Sequence, residues 1–284
     1  MPVTPLLSGR PPLDPGEVAA ALAGTRWRPE VLAESPSTNA VLAGRVREGA
    51  AEGLLVVADH QTAGRGRLDR TWVTPAGAAL TFSLLLTPDE VPVARWPWLP
   101  LLTGVAVAEG VRRVAGVEVA LLWPNDVLAR PDASTGPGRR KVAGILVERV
   151  EGPPCAGAVV GVGLNVGQSA EELPVDTATS LQLVAGSPVD RTALLAAVVT
   201  ALADHYDRWR AADGDARAGL LAAYSALCDT VGRTVRVQLP DGGSVTGDAV
   251  GVDDDGRLRV RGADGVVALG AGDVVHVRPA SPRA

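Results

Sequence analysis

The sequence predicts an α/β domain built on a mixed sheet, followed by a small β-barrel. Its 284 residues are 46% hydrophobic, enough for one large core and a smaller module. Up to about residue 228, apolar runs of strand length alternate with longer stretches of helical periodicity. After Cys228 the texture changes to short β-type runs separated by Gly and Asp turns, the pattern of a barrel of about fifty residues.

The elements follow in order. Residues 1–12 read as a flexible leader. Asp14-Pro15-Gly16-Glu17 then supplies an N-cap, a proline at the first helical position and an acid at the third, starting a helix that stops at Gly24. A second helix is expected to start near Ser37 and end at Gly49, with a buried strand at 54–58. Gly64 to Gly77 forms a Gly/Arg-rich loop before a strand at 79–86. A long helix at 98–114 carries Thr103, Gly104 and Ala108, which allow close packing. Strands at 119–122 and 127–129, a polar turn at 131–140 and strands at 141–150 and 156–166 complete the sheet. Helices return at 191–210 and about 216–227. The main domain therefore spans 13–228 and the barrel 229–284, with β runs at 234–239, 244–252, 257–261, 266–269 and 274–277. No repeat period is visible.

Composition removes several function classes. The net charge is -5 and arginines are interspersed with acids, so the concentrated basic face of a duplex binder is missing. No segment approaches the roughly 18 apolar residues of a membrane span. The start Met1-Pro2-Val3-Thr4-Pro5-Leu6-Leu7 lacks the basic and apolar regions of a signal peptide. Cys155 and Cys228 have no motif spacing, which suits a reducing cytoplasm, and with only His60, His205 and His276 no zinc site is expected. Every cationic side chain but one is arginine. The exception is Lys141, a compact point charge on a flexible stem. Drifting composition can leave one lysine anywhere, so its meaning rests on its neighbours.

Those neighbours form clusters that suit anion chemistry. His60-Gln61-Thr62-Ala63-Gly64-Arg65-Gly66-Arg67-Leu68-Asp69-Arg70-Thr71-Trp72 follows a buried strand and interleaves arginines with glycines, bringing guanidinium forks and backbone N–H groups to one place. It lacks the P-loop spacing, and a solvated surface loop would share its composition. Trp72 is either core or the cap of a ligand ring. Trp123-Pro124-Asn125-Asp126 ends a strand, where Asn and Asp suit a phosphate-bound Mg²⁺ or a ribose, or simply a turn. Lys141-Val142-Ala143-Gly144-Ile145-Leu146-Val147-Glu148 opens a strand, with Gly144 leaving room for a ligand or backbone. Gly161-Val162-Gly163-Leu164-Asn165-Val166-Gly167 imitates a dinucleotide loop but has a displaced third glycine and no long helix after it. Ser37-Thr38-Asn39 stands at a helix start, where a cap would explain the serine.

In this order the clusters resemble the biotin–protein ligases. That family reads S-T-N, then Q-[ST]-x-G-R-G-R-x-x-R-x-W, K-W-P-N-D, K-x-x-G-I-L-x-E and G-x-G-x-N-V, and the match runs from about Glu34 to Val166. The resemblance implies a biotin/lipoate ligase-like catalytic domain related to class II aminoacyl-tRNA synthetases, followed by an SH3-like barrel. It implies that biotin is activated with MgATP to biotinyl-5′-AMP and passed to a lysine of the biotin carboxyl carrier protein of an acyl-CoA carboxylase.

Under the resemblance, Ser37, Thr38, Asn39 and Gln61 bind the biotin head, and Arg65, Gly66 and Arg67 close over biotin and phosphate. Lys141 touches carboxylate and phosphate, so Lys141 and Arg67 are the catalytic pair. Asn125, Asp126 and Asn165 serve ATP, its metal or the adenylate, and Trp72 packs near the adenine. Mg²⁺ comes with ATP, reached through Asn125 and Asp126, with no protein cage of its own. Two positions depart from the pattern. Leu122 replaces a lysine, removing a cation near ATP, and Leu68-Asp69 replaces Arg-Gly, putting an acid into the anion loop. About thirty residues precede the first motif, too few for the winged helix-turn-helix of repressor members. Partners are thus expected to be biotin and the carrier, without DNA or membrane, the chain acting in the cytoplasm as a monomer or weak homodimer. The nearest rival is lipoate or octanoyl transfer, against which Ser37-Thr38-Asn39 and Gln61 speak. Another is a catalytically dead regulator that binds biotin or adenylate, which Leu122 and Asp69 favour.

Overall fold

A computed structural model describes residues 10–67, 70–130, 138–239, 241–270 and 273–276. The leader residues 1–9, Leu68-Asp69 and most of the expected turn at 131–140 lie outside these. Asp14 caps the first helix, α1 (Pro15–Ala21), accepting from the Glu17 N–H at 2.9 Å. The chain then forms β1 (Arg28–Ser35), α2 (Thr38–Arg47), β2 (Leu54–Gln61), β3 (Gly64–Arg65), β4 (Thr71–Trp72) and β5 (Ala79–Leu86). Next come α3 (Trp98–Ala115), β6 (Val119–Leu122), β7 (Asp126–Ala129), β8 (Arg140–Val150) and β9 (Gly157–Asn165). The main domain ends with α4 (Leu181–Ala185), α5 (Arg191–Ala211) and α6 (Leu220–Leu227).

Seven strands form one mixed sheet in the order β1-β2-β5-β9-β8-β7-β6, with β1 parallel to β2 and the other pairs antiparallel. Strand side chains alternate between faces, and the two faces meet different helices. Leu55, Val57, Leu80, Phe82, Leu84, Val160 and Val162 enter the large core with α1, α3, α5 and α6. Val56, Leu85, Val150 and Val159 pack on Leu42, Ala43 and Val46 of α2. The α2 layer is short, so part of that face stays open for a ligand.

Several expectations are corrected. β1 was not foreseen, because Arg28–Ser35 is a half-exposed edge strand with little apolar alternation. The helix expected at about 216–227 is divided: Ala216–Ala218 is a 3₁₀ turn, Gly219 takes φ 123°, and α6 starts only afterwards. The leader is tied down from Arg10, whose guanidinium donates to Glu172 Oε1 at 3.0 Å and to the Gly167 carbonyl at 2.7 Å. That contact holds the Glu172 carboxyl below the usual carboxylate range. The Leu13 N–H and Arg191 both bond the buried Asp59 carboxylate, at 3.0 and 2.8 Å.

The C-terminal unit is an SH3-like antiparallel sheet of β10 (Thr234–Gln238), β11 (Ser244–Val252), β12 (Leu258–Gly262), β13 (Gly265–Leu269) and β14 (Asp273–His276), in the order β13-β12-β11-β10-β14. Val235, Val237, Ala249, Leu258 and Val260 fill its interior. Its β11–β12 turn docks at the start of α3: Trp98 Nε1 donates to the Asp254 carbonyl at 2.7 Å and Trp123 Nε1 to the Gly256 carbonyl at 2.9 Å. Buried indole N–H groups need such partners, so these two tryptophans seat the barrel beside the WPND turn.

Candidate active site

The open part of the α2 face is built from glycine and polar positions of three central strands. Gly161 and Gly163 of β9 and Gly144, Leu146 and Glu148 of β8 fall on this side, opposite the neighbours that enter the large core. Gly144 pairs with Gly163, Leu146 with Gly161, and Ser83 of β5 also with Gly161. The missing side chains form a trough. A Cβ on Gly161 would stand 2.0 Å from Asn39 Oδ1, and one on Gly163 would stand 2.6 Å from Trp72 Cε2. The glycine cluster once comparable to a dinucleotide loop is therefore mid-strand, and its glycines admit side chains from α2 and the Gly/Arg segment.

A cavity of about 120 Å³ opens over this trough. Ser37, Thr38 and Asn39 from the start of α2 line it with Gln61 from the end of β2. The Gly/Arg segment contributes Arg65, Gly66, Arg67 and Trp72, and the β6–β7 turn and β8 contribute Asn125, Asp126 and Lys141. A second cavity of about 380 Å³ shares Arg65, Gly66, Arg67 and Asn125 with it and is walled by Pro97, Trp123 and the barrel's Gly256. The two adjoining spaces suit a ligand with a buried head and a wetter, larger tail.

Four cationic side chains, Arg65, Arg67, Arg70 and Lys141, line this cavity. Lys141 Nζ lies 2.7 Å from Asp126 Oδ1 and 5.8 Å from the centre of the Trp72 ring. Its backbone is pinned on both sides, donating to the Thr177 carbonyl and accepting from the Thr179 N–H, each at 2.8 Å. Arg67 donates to Asn125 Oδ1 at 3.1 Å, while the Asn125 amide nitrogen donates to the Ile145 carbonyl at 2.9 Å. Arg65, 55% exposed, has its guanidinium 3.9 Å from Glu148 Oε1. The solvated Arg65–Glu148 pair contributes on the order of 1 kcal/mol or less, so an entering anion can displace it cheaply.

Two predicted residues behave differently from expectation. Ser37 precedes α2, but its hydroxyl makes no capping bond. It is nearly buried against the cavity, and the cap does not explain it. Asn165 does not line the cavity: its amide donates to the Thr179 carbonyl at 3.0 Å and accepts from Gln168 Nε2 at 2.9 Å, inside the protein. The room expected over Gly144 is taken by the Lys141 stem and Trp72. Sequence reasoning passed over Ser83 and gave Glu148, the last residue of its cluster, no role; both bond Asn39. Ser83 had a signal, since its hydroxyl interrupts the apolar run Ala79–Leu86 on the face opposite Phe82 and Leu84.

The sequence model of the biotin/lipoate A/B protein ligase family matches residues 31–165, and that of the biotin protein ligase C-terminal domain matches residues 230–277. A biotin–[acetyl-CoA-carboxylase] ligase of Mycobacterium tuberculosis is 40% identical over 276 residues, spanning 95% of this chain and 97% of the relative. The chain belongs to the biotin–protein ligase family. Other members include the bifunctional ligase/repressor BirA of Escherichia coli, 30% identical over 88% of this chain and 74% of its own length. Among solved structures, the biotin protein ligase of Aquifex aeolicus in complex with biotin and ATP superposes with a TM-score of 0.72 and 28% identity. It covers 89% of this chain and 99% of its own. In this biotin–protein ligase family member, the polar floor, arginine loop and lone lysine share one cavity, each arriving from a different stretch of sequence. Among the described residues, no helix of this family member is long and apolar enough to cross a membrane.

Proposed function

We propose that the protein is a biotin–protein ligase that uses MgATP to activate biotin and transfers it to a lysine of a biotin carboxyl carrier protein. The observation that carries this reading is the convergence of Lys141, Arg65 and Arg67 on one cavity whose inner end is lined by Ser37, Thr38, Asn39 and Gln61. Two anions must meet in the first step. A carboxylate oxygen of biotin attacks the α-phosphorus, forming the mixed anhydride, and pyrophosphate leaves with the bonding electron pair. In this reading Lys141 touches both carboxylate and phosphate, and Arg67 and Arg65 cancel charge growing on the phosphate oxygens. Fixed cations of this kind act most strongly where water is excluded. In the second step the carrier amine attacks the acyl carbon, AMP leaves, and the amine proton passes to solvent.

Mg²⁺ enters with the nucleotide as part of the substrate and supplies charge neutralisation on its phosphates. The oxygens of Asn125 and Asp126 would hold it, and both face a cation of the protein. This suits shared use of one phosphate group better than a separate metal cage. Trp72, on the trough glycines, offers a flat wall to the adenylate. The Gly/Arg segment orders over the ligand and keeps water from the anhydride. We further assign the enzyme to the cytoplasm, consistent with the two free cysteines, as a monomer or weak homodimer.

The direct test incubates the protein with biotin, MgATP and a carrier domain and measures carrier mass. A gain of one biotinyl group supports the reading, and transfer only from lipoate would reject it. Biotin with ATP is also expected to slow tryptic cleavage after Arg65 and Arg67 by about ten-fold or more, as a segment that orders on binding resists proteolysis. Cleavage at the same rate with and without ligand would argue against loop closure.

A further inference from the structure

Thr38, Asn39, Gln61 and Ser83 form a chain of contacts whose hydrogens can be counted. Gln61 faces the Thr38 backbone N–H at 2.8 Å, and because that group can only donate, the facing amide atom is oxygen. Asn39 faces the Leu146 carbonyl at 3.3 Å, which can only accept, so that amide atom is nitrogen. The same nitrogen lies 2.7 Å from Glu148 Oε2. Asn39 Oδ1 therefore turns toward Ser83, 2.6 Å away. Three oxygen–oxygen contacts remain: Ser83 to Asn39, Ser83 to Thr38 at 2.7 Å, and Thr38 to Gln61 at 3.1 Å. Only two hydroxyl hydrogens are available for them. The amide oxygens of Asn39 and Gln61 bring none, so Thr38 donates to Gln61 and the single Ser83 hydrogen serves Asn39, its shortest contact, with Thr38 as its other neighbour. One hydrogen fewer than the contacts is present, and the shared one is that of Ser83.

We infer that Ser83 is a positioning residue for the head of the bound substrate. It is fully buried behind the cavity and does not line it. Its single hydroxyl touches both floor residues, holding the Asn39 oxygen at 2.6 Å and fixing the Thr38 hydroxyl at 2.7 Å. The amide oxygens of Asn39 and Gln61 can only accept, which leaves the floor rich in lone pairs. A ligand head that brings its own N–H groups completes it, which rests on the reading of biotin, with its cyclic urea, as the substrate.

The test compares wild type with Ser83→Ala, Ser83→Cys and Asn39→Ala in calorimetric titration with biotin alone. It adds steady-state KM values for biotin and MgATP. Leaving a buried acceptor without its donor predicts a Kd and KM for biotin raised on the order of ten-fold in Ser83→Ala, with KM for MgATP moving less than about three-fold. Ser83→Cys nearly keeps the volume but donates weakly, so it is expected to fold like wild type and lose affinity like Ser83→Ala. In the Asn39→Ala background, Ser83→Ala is expected to add little, the non-additivity of residues acting through one another. Wild-type affinity in Ser83→Cys, or full additivity with Asn39→Ala, would overturn the inference and leave the ligase reading standing. A wild-type protein that binds no biotin would overturn both.

Discussion

Lys141→Ala is expected to lose adenylate formation by roughly 10²–10³-fold in biotin-dependent pyrophosphate exchange, the usual cost of removing one preorganised charged donor from such a site. The fold should survive. The side chain is 35% exposed, its partner Asp126 is at the cavity mouth, and the strand around it is held by backbone bonds to Thr177 and Thr179 that alanine keeps. Circular dichroism and melting temperature should therefore stay near wild type while exchange collapses. Lys141→Arg is not expected to restore activity, because a planar fork cannot replace a point charge 2.7 Å from Asp126 and beside Trp72. Undiminished exchange in Lys141→Ala would remove the lysine from the chemistry.

Gly161→Ala should abolish biotin binding without touching any charged residue. The added methyl would sit 2.0 Å from Asn39 Oδ1, and Asn39 cannot yield easily, since its amide is held by Ser83, Leu146 and Glu148. Either the amide swings away from the floor or α2 shifts off β9. Overpacking of this kind costs about 1–3 kcal/mol of stability, and displacing the floor should raise the Kd for biotin by about 100-fold or more, since buried polar groups lose their partners. Calorimetric titration and thermal melting read the two effects separately. Near-normal biotin affinity in Gly161→Ala would show that Asn39 is not part of the floor.

Much of the fold was legible from local pattern. The strand at Ala79–Leu86 and the helices from Trp98 and Arg191 stand out because long apolar runs and clear caps act within a few residues. β1 was hidden because an edge strand buries little, and α6 was overextended because a lone glycine at 219 does not announce its positive φ. At the site, Lys141, Arg65, Arg67 and Gln61 were legible from motif and charge. Asn165 differs from its motif neighbours Gly161 and Gly163: they line the cavity, while its own amide turns toward Thr179 and Gln168. Ser83 was missed because a serine within a buried strand carries no motif, only an odd position on one face.

What the sequence determined by itself was chemistry: arginines between glycines, one lysine at a strand's start and short polar groups at element ends, with an alternation that demanded a sheet and a barrel. These follow from residue type and spacing along the chain. Which of those groups meet was decided only by the tertiary structure. The order β1-β2-β5-β9-β8-β7-β6 sets residues 83 and 144 beside residues 161 and 163, although the three strands come from separate stretches of the chain. Strand register, read across the sheet, has no trace in local spacing, so the glycine trough, the hydrogen count of its floor and the exclusion of Asn165 exist only once the strands are paired.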